Sequence, residues 1–176
     1  MTIGGSSASA DDDGWDEFDN AVWQIVRDAV IAAHEGDVRA AHLATRRLDT
    51  DVPVDGRPGT YLWWLLRHRV AQLLSRRPSP DDLHEIATRH MDAFGVVVRD
   101  TSVFEDVLLT VWKLAPPERE VTAGRFIVAA VTALGILRDE PASDLDAVRP
   151  DLIAWWEKNL ANFRRQGILE DRSNAG

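Results

Sequence analysis

The hydrophobic positions of this 176-residue chain recur at the spacing of an α-helix in almost every segment. Between residues 18 and 33, for example, apolar side chains fall three or four positions apart, which is the spacing of one buried helical stripe. Clusters of proline and glycine separate these segments, and no stretch alternates apolar and polar residues long enough to indicate a sheet. The pattern predicts an all-α fold of about seven helices in a single orthogonal or bundle-like domain.

Capping residues at the ends of the periodic segments set the bounds of the predicted helices. The helices are expected at residues 15–35, 38–48, 61–77, 80–94, 102–114, 122–138 and 150–166. Residues 49–59 and 139–149 are expected to be irregular connections. In this interpretation Thr60 caps the third helix, and Pro150 occupies the first turn of the seventh, where a proline is well tolerated.

The segment from Phe126 to Leu137 is apolar on every side, whereas the other helical segments carry one stripe. A helix of that composition is stable in water only if other elements surround it. The segment is too short to span a bilayer, which takes roughly 20 residues. The sequence therefore predicts a fully apolar central helix at about 122–138, encased by the rest of the domain.

The two ends of the chain lack the helical pattern. Residues 1–14 are small, polar and acidic, which is typical of a disordered leader, and residues 172–176 are expected to be a frayed tail. Neither the pattern of a signal peptide nor an apolar segment long enough to span a membrane occurs. These features predict one helical domain over residues 15–171 in a cytoplasmic protein.

Composition and charge narrow the chemistry. The net charge is −9, from 20 basic and 29 acidic residues, and there is no cysteine. A chain this acidic is repelled by nucleic-acid phosphates, and the lack of cysteine excludes disulfides, thiolate metal sites and a cysteine nucleophile. No phosphate-binding glycine loop, nucleophile elbow or metal-binding histidine spacing occurs. We expect no nucleic-acid or membrane partner, no metal, no cofactor and no catalytic residue, and we favour a protein that is not an enzyme.

The seven tryptophans include two adjacent pairs, one at 63–64 and one at 155–156. Neighbours on a helix point about 100° apart, so one buried stripe cannot easily cover both members of a pair. Either these helices are packed on two sides, or at least one tryptophan lies on the surface as a partner anchor, since Trp and Arg are enriched in binding hot spots. We call the candidate partner-binding residues the tryptophan patch: Trp63, Trp64, Arg67, His68 and Trp155.

The third helix is also the only predicted helix with a basic outer face, because it carries Arg67, Arg69, Arg76 and Arg77. Such a face is able to grip an anionic ligand or an acidic partner. The alternative is a solvated face that pairs with the acid-rich first two helices. Exposed pairs of that kind contribute little individually.

Two functions follow as the leading hypotheses. The first is a protein–protein interaction module, an adaptor or an acidic inhibitor-like regulator, whose partner is another protein or a second copy in a homodimer. The second is a small-molecule-binding domain with an apolar pocket between helices. The expected pocket lining consists of His90, Met91, Trp112, Phe126 and Trp156. An enzyme would need a buried acid or histidine with a strongly shifted pKa inside a cleft.

Overall fold

A computed structural model of the protein describes residues 14–50, 56–94, 101–138 and 143–169. Within these ranges the chain forms seven α-helices, one 3₁₀ turn and no strand, so the predicted all-α fold is confirmed. The elements are α1 (Glu17–His34), α2 (Val38–Thr50), α3 (Arg57–Leu74), α4 (Pro80–Phe94), α5 (Thr101–Val111), the 3₁₀ turn (Pro117–Arg119), α6 (Ala123–Leu137) and α7 (Ser143–Arg165). The expected leader, apart from Gly14, and the expected tail lie outside the described residues.

Helix α6 is the centre of the packing, since it contacts α1, α2, α3, α4 and α5. From Ala130 to Leu137 its residues are buried, except for the half-buried Thr132. The first half of the helix differs, because Val128 is 54% exposed and Phe126 is only half-buried. The expectation that the whole segment is encased is therefore wrong for its first half. Apolar composition did not require burial there, since folded proteins leave much apolar area in water.

Helices α1 and α6 approach each other closely at Gly135. A Cβ atom placed on this glycine would lie 2.7 Å from the Cβ of Ala33 and 2.9 Å from its carbonyl carbon. The Nδ1 atom of His34 lies 3.0 Å from the Gly135 carbonyl oxygen, at hydrogen-bonding distance. A residue without a side chain is thus what allows the two backbones to come this close.

A buried charged cluster joins α1 to α3. Asp19 is 1% exposed and Arg57 is 7% exposed, and Arg57 Nε lies 2.9 Å from Asp19 Oδ1 in an ion pair. The Tyr61 hydroxyl donates to the same oxygen at 2.6 Å, while Oδ2 accepts from the backbone N–H of Asp16 and completes a capping box. Burial raises the pKa of Asp19, and the hydrogen bond from Tyr61 and the charge of Arg57 oppose that rise.

Helix α3 begins at Arg57, four residues earlier than predicted and inside the segment expected to be irregular. Thr60, the expected cap, lies within the helix, where its hydroxyl donates to the Gly56 carbonyl at 2.7 Å. Two non-local contacts hold this first turn: the ion pair of Arg57 with Asp19 and a 2.7 Å hydrogen bond from the Gly56 N–H to the Ile168 carbonyl. Local sequence carries no sign of either contact.

Helix α7 begins at Ser143, so Pro150 lies inside the helix and not in its first turn. The turns before the proline are anchored to the core, because Leu145 is 4% exposed and Arg27 donates two hydrogen bonds to Asp146, at 2.9 and 3.0 Å. A proline in a helix interior lacks the N–H for one backbone hydrogen bond. Tertiary anchoring outweighs that loss here.

The remaining helix ends differ from the prediction by three residues or fewer. Helix α5, for example, begins at Thr101, one residue before the predicted start. Differences of this size are ordinary at helix ends. Among the described residues, no helix combines the length and the apolar character that crossing a membrane requires.

Helix α4 starts with a charged cap. The carboxylate of Asp82 accepts from the backbone N–H and the hydroxyl of Ser79, both at 2.7 Å. It also accepts from two nitrogens of Arg76, at 2.7 and 2.6 Å. Arg76 and Ser79 together hold the pKa of Asp82 well below its ordinary value of 3.8.

The contact at Gly135 predicts opposite effects for two glycines of the same helix. Gly135→Ala should lower the free energy of unfolding by about 2 kcal/mol, because the new methyl group collides with the backbone of α1. The control is Gly124→Ala, where nothing lies within 4 Å of the added Cβ. It should raise stability by about 0.5 kcal/mol through helix propensity. Urea unfolding followed by tryptophan fluorescence measures both, and equal effects would contradict the close contact.

The cap of α4 predicts a pH-dependent loss of stability. The folded pKa of Asp82 lies below the unfolded value, so its ionised form stabilises the fold above about pH 4, and that stability is lost as the pH falls. Wild type should therefore be more stable than Asp82→Asn at pH 7, and the difference should shrink below pH 4. Asp81→Asn, at an exposed neighbouring position, is the control. A difference for Asp82→Asn that stays constant between pH 7 and pH 3 would rule out this role.

Candidate partner-binding site

The structure brings the five residues of the tryptophan patch together. Four of them come from α3, and Trp155 comes from α7; all five are half-buried. The ring centroid of Trp155 lies 6.1 Å from that of Trp63 and 6.1 Å from that of Trp64. The ring of Trp64 in turn stacks on His68, with centroids 4.8 Å apart and an interplanar angle of 18°. The result is one continuous surface of aromatic rings across two helices.

The burial pattern of α3 explains why these rings reach the surface. The helix packs against α1 and α6 through residues at helical spacing, which are Tyr61, Leu62, Leu65, Leu66 and Val70. Trp63 and Trp64 lie between these positions in the sequence, and the 100° step per residue turns them away from that face. His68 follows Trp64 by one helical turn, which is why their side chains stack.

The two members of the second tryptophan pair have different environments. Trp156 is 0% exposed and packs edge-on against Tyr61, with centroids 4.9 Å apart. Trp155 is half-buried and contacts Phe163, with centroids 5.3 Å apart. Trp156 is thus a core residue, and Trp155 is the member that faces α3 and the surface.

Arg67 is held by aromatic rings. Its guanidinium carbon lies 4.6 Å from the ring centroid of Trp63 and 4.2 Å from that of Trp112, both within cation–π range. Burial, followed by the positive charge of Arg77, lowers the pKa of Arg67, although a guanidinium stays charged in proteins. In the part of the chain that the structure describes, no carboxylate pairs with Arg67. The guanidinium is therefore fixed in place while its hydrogen-bonding capacity remains largely unused.

Trp112 is the neighbour of the patch that sequence reasoning missed. It is 8% exposed, and it is one of the residues expected from the sequence to line the pocket. Its contact with Arg67 spans 45 positions of sequence. No local signal reports such a contact, because helical periodicity gives the buried face of an element and not the element that covers it.

Two of the expected pocket residues, Trp156 and Trp112, contact different parts of the protein. Trp156 packs against Tyr61 and Phe163, and Trp112 contacts Arg67. Among the described residues, no ring contact joins Trp112, Phe126 and Trp156. His90 and Phe126 are half-buried, and the side chain of Met91 lies outside the described residues. The apolar pocket stays a prediction.

The described ranges contain no group of three or more His, Asp or Glu side chains placed to hold a metal ion. The buried carboxylate of Asp19 is engaged by Arg57 and Tyr61. It therefore acts as a link between α1 and α3. The tryptophan patch, by contrast, presents half-buried aromatic rings and an arginine without a carboxylate partner among the described residues.

No protein-family model, no curated protein and no solved structure matches this chain. Its function is therefore inferred from the geometry and chemistry of the tryptophan patch.

Proposed function

We propose that the protein is a non-enzymatic interaction module that docks a protein partner on the tryptophan patch. The observation that carries this proposal is the convergence of three half-buried indole rings and one arginine on a surface shared by α3 and α7. Trp and Arg are among the residue types most enriched in binding hot spots. Each half-buried ring retains apolar area that a partner is able to cover.

The rings of the patch are already held in position before a partner arrives. Trp64 is stacked on His68 and lies beside Trp155, and Trp63 is contacted by Trp155 and Arg67. Ordering a side chain at an interface opposes binding by about 0.5–1.5 kcal/mol. A surface whose aromatic groups are pre-stacked avoids much of that loss, which favours its use for docking.

An adaptor or an inhibitor-like regulator fits this surface, because both act by binding a partner and neither catalyses a reaction. The partner is another protein, and a second copy of this chain is the main alternative. Sedimentation of the purified protein at several concentrations distinguishes these two, since a homodimer dissociates on dilution.

The proposal predicts that one tryptophan carries much of the docking energy. Trp64→Ala should weaken capture of partners from native lysate by the immobilised full-length chain, by about 2 kcal/mol or roughly 30-fold in affinity. Leu43→Ala is the control, because Leu43 is a large apolar residue on α2 that is 52% exposed and outside the patch. Thermal unfolding of each variant verifies that it is folded. Unchanged capture by folded Trp64→Ala, together with a monomer at all concentrations, would overturn the proposal.

A further inference from the structure

The helix that carries the patch has a charge opposite to that of the whole protein. The chain has a net charge of −9, yet residues 57–77 contain no Asp or Glu. The arginines of this segment are Arg57, Arg67, Arg69, Arg76 and Arg77. The contacts of each arginine show whether its positive charge is compensated within the protein.

Three of the five arginines are engaged within the protein. Arg57 forms the buried ion pair with Asp19, and Arg76 pairs with Asp82. The Nε of Arg69 donates to the Leu137 carbonyl at 2.8 Å, at the end of α6. These contacts explain why the fold retains arginines at those positions.

Arg67 and Arg77 are the exceptions. Neither has a carboxylate partner among the described residues, and burial, followed by the positive charge of Arg77, lowers the pKa of Arg67. Arg67 is half-buried, so part of its hydration is lost as well. Its contacts with Trp63 and Trp112 offset some of that loss but supply no oxygen acceptor for its N–H groups.

A guanidinium in this setting is well prepared to receive a carboxylate. Its five N–H groups form a rigid planar fork that matches a carboxylate in a bidentate contact. The two indole rings restrict its orientation, so less conformational freedom remains to be lost on binding. The same partner segment would bring an apolar side chain against Trp63, Trp64 and Trp155.

We infer that Arg67 is the anion-recognising residue of the tryptophan patch and that the docked partner presents an acidic peptide segment with an adjacent apolar side chain. This inference rests on the proposed function and adds the partner's chemistry to it. The negative charge of the rest of the protein disfavours acidic segments elsewhere on the surface. Binding is thereby restricted to segments that fit the patch.

The test uses peptides as the probe. A random short-peptide display library is selected on the full-length chain, and selected binders are resynthesised with glutamine and asparagine in place of glutamate and aspartate. Acidic binders should be enriched, and the amide versions should bind at least about tenfold more weakly, as loss of a charged hydrogen bond implies. Tryptophan fluorescence measures the affinity, because three of the seven tryptophans lie in the patch.

Three variants assign the effect to the residue. Arg67→Gln should remove the preference for the acidic peptide over its amide version, and Arg67→Lys should recover it only in part, since lysine lacks the planar fork. Arg89→Gln is the control, because it removes the same charge from an exposed arginine on α4 that pairs with Glu85. It should leave the preference unchanged.

Other outcomes would overturn the inference. They are enrichment of basic peptides, equal binding of acidic and amide peptides, no binding of either, or an acidic preference that persists in Arg67→Gln. If any of these occurs while Trp64→Ala still weakens partner capture, the docking function stands and the partner's chemistry is different. If Trp64→Ala has no effect on capture and the protein is a monomer, the proposed function itself fails.

Discussion

The backbone contact between α1 and α6 at Gly135 is the constraint on which the arrangement of this domain depends. It places the buried half of α6 directly against the end of α1. Helix α1 also holds the start of α3 through the buried pair of Asp19 and Arg57. Arg69 ties α3 back to the Leu137 carbonyl at the end of α6. The three helices thus fix one another, and the orientation of α3 that exposes the tryptophan patch follows from these contacts.

The patch shows how a packed helix serves both stability and recognition. One face of α3 is buried against α1 and α6, and its flank meets α7 through Trp63, Trp64 and Trp155. The rings are covered enough to be held in place and exposed enough to present apolar area. Arg67 adds a fixed charge beside them. A combination of rigid aromatic area and an oriented charge is what a specific docking surface needs.

Much of the local structure was predictable because it rests on interactions between near neighbours in sequence. Helical periodicity located the seven helices of the described residues, and the start of α4 follows from Ser79 and Asp82, which lie three positions apart. The predicted starts of α3 and α7 were wrong because both helices begin with turns held by residues distant in sequence. Arg57 in α3 pairs with Asp19, and Asp146 in α7 accepts a hydrogen bond from Arg27. The burial of α6 was overestimated for a related reason: composition measures the tendency to be buried, and only the neighbouring helices supply the cover.

The sequence by itself determined the fold class, the existence of the helices and the candidate residues of the tryptophan patch, because helix periodicity and adjacent tryptophans are properties of short segments. The tertiary structure alone decided that Trp155 meets Trp63 and Trp64 of α3. It also decided that Arg67 lies over Trp112. These outcomes depend on how helices from distant parts of the chain pack together, and that packing is set by the shapes of whole surfaces, which no local pattern encodes.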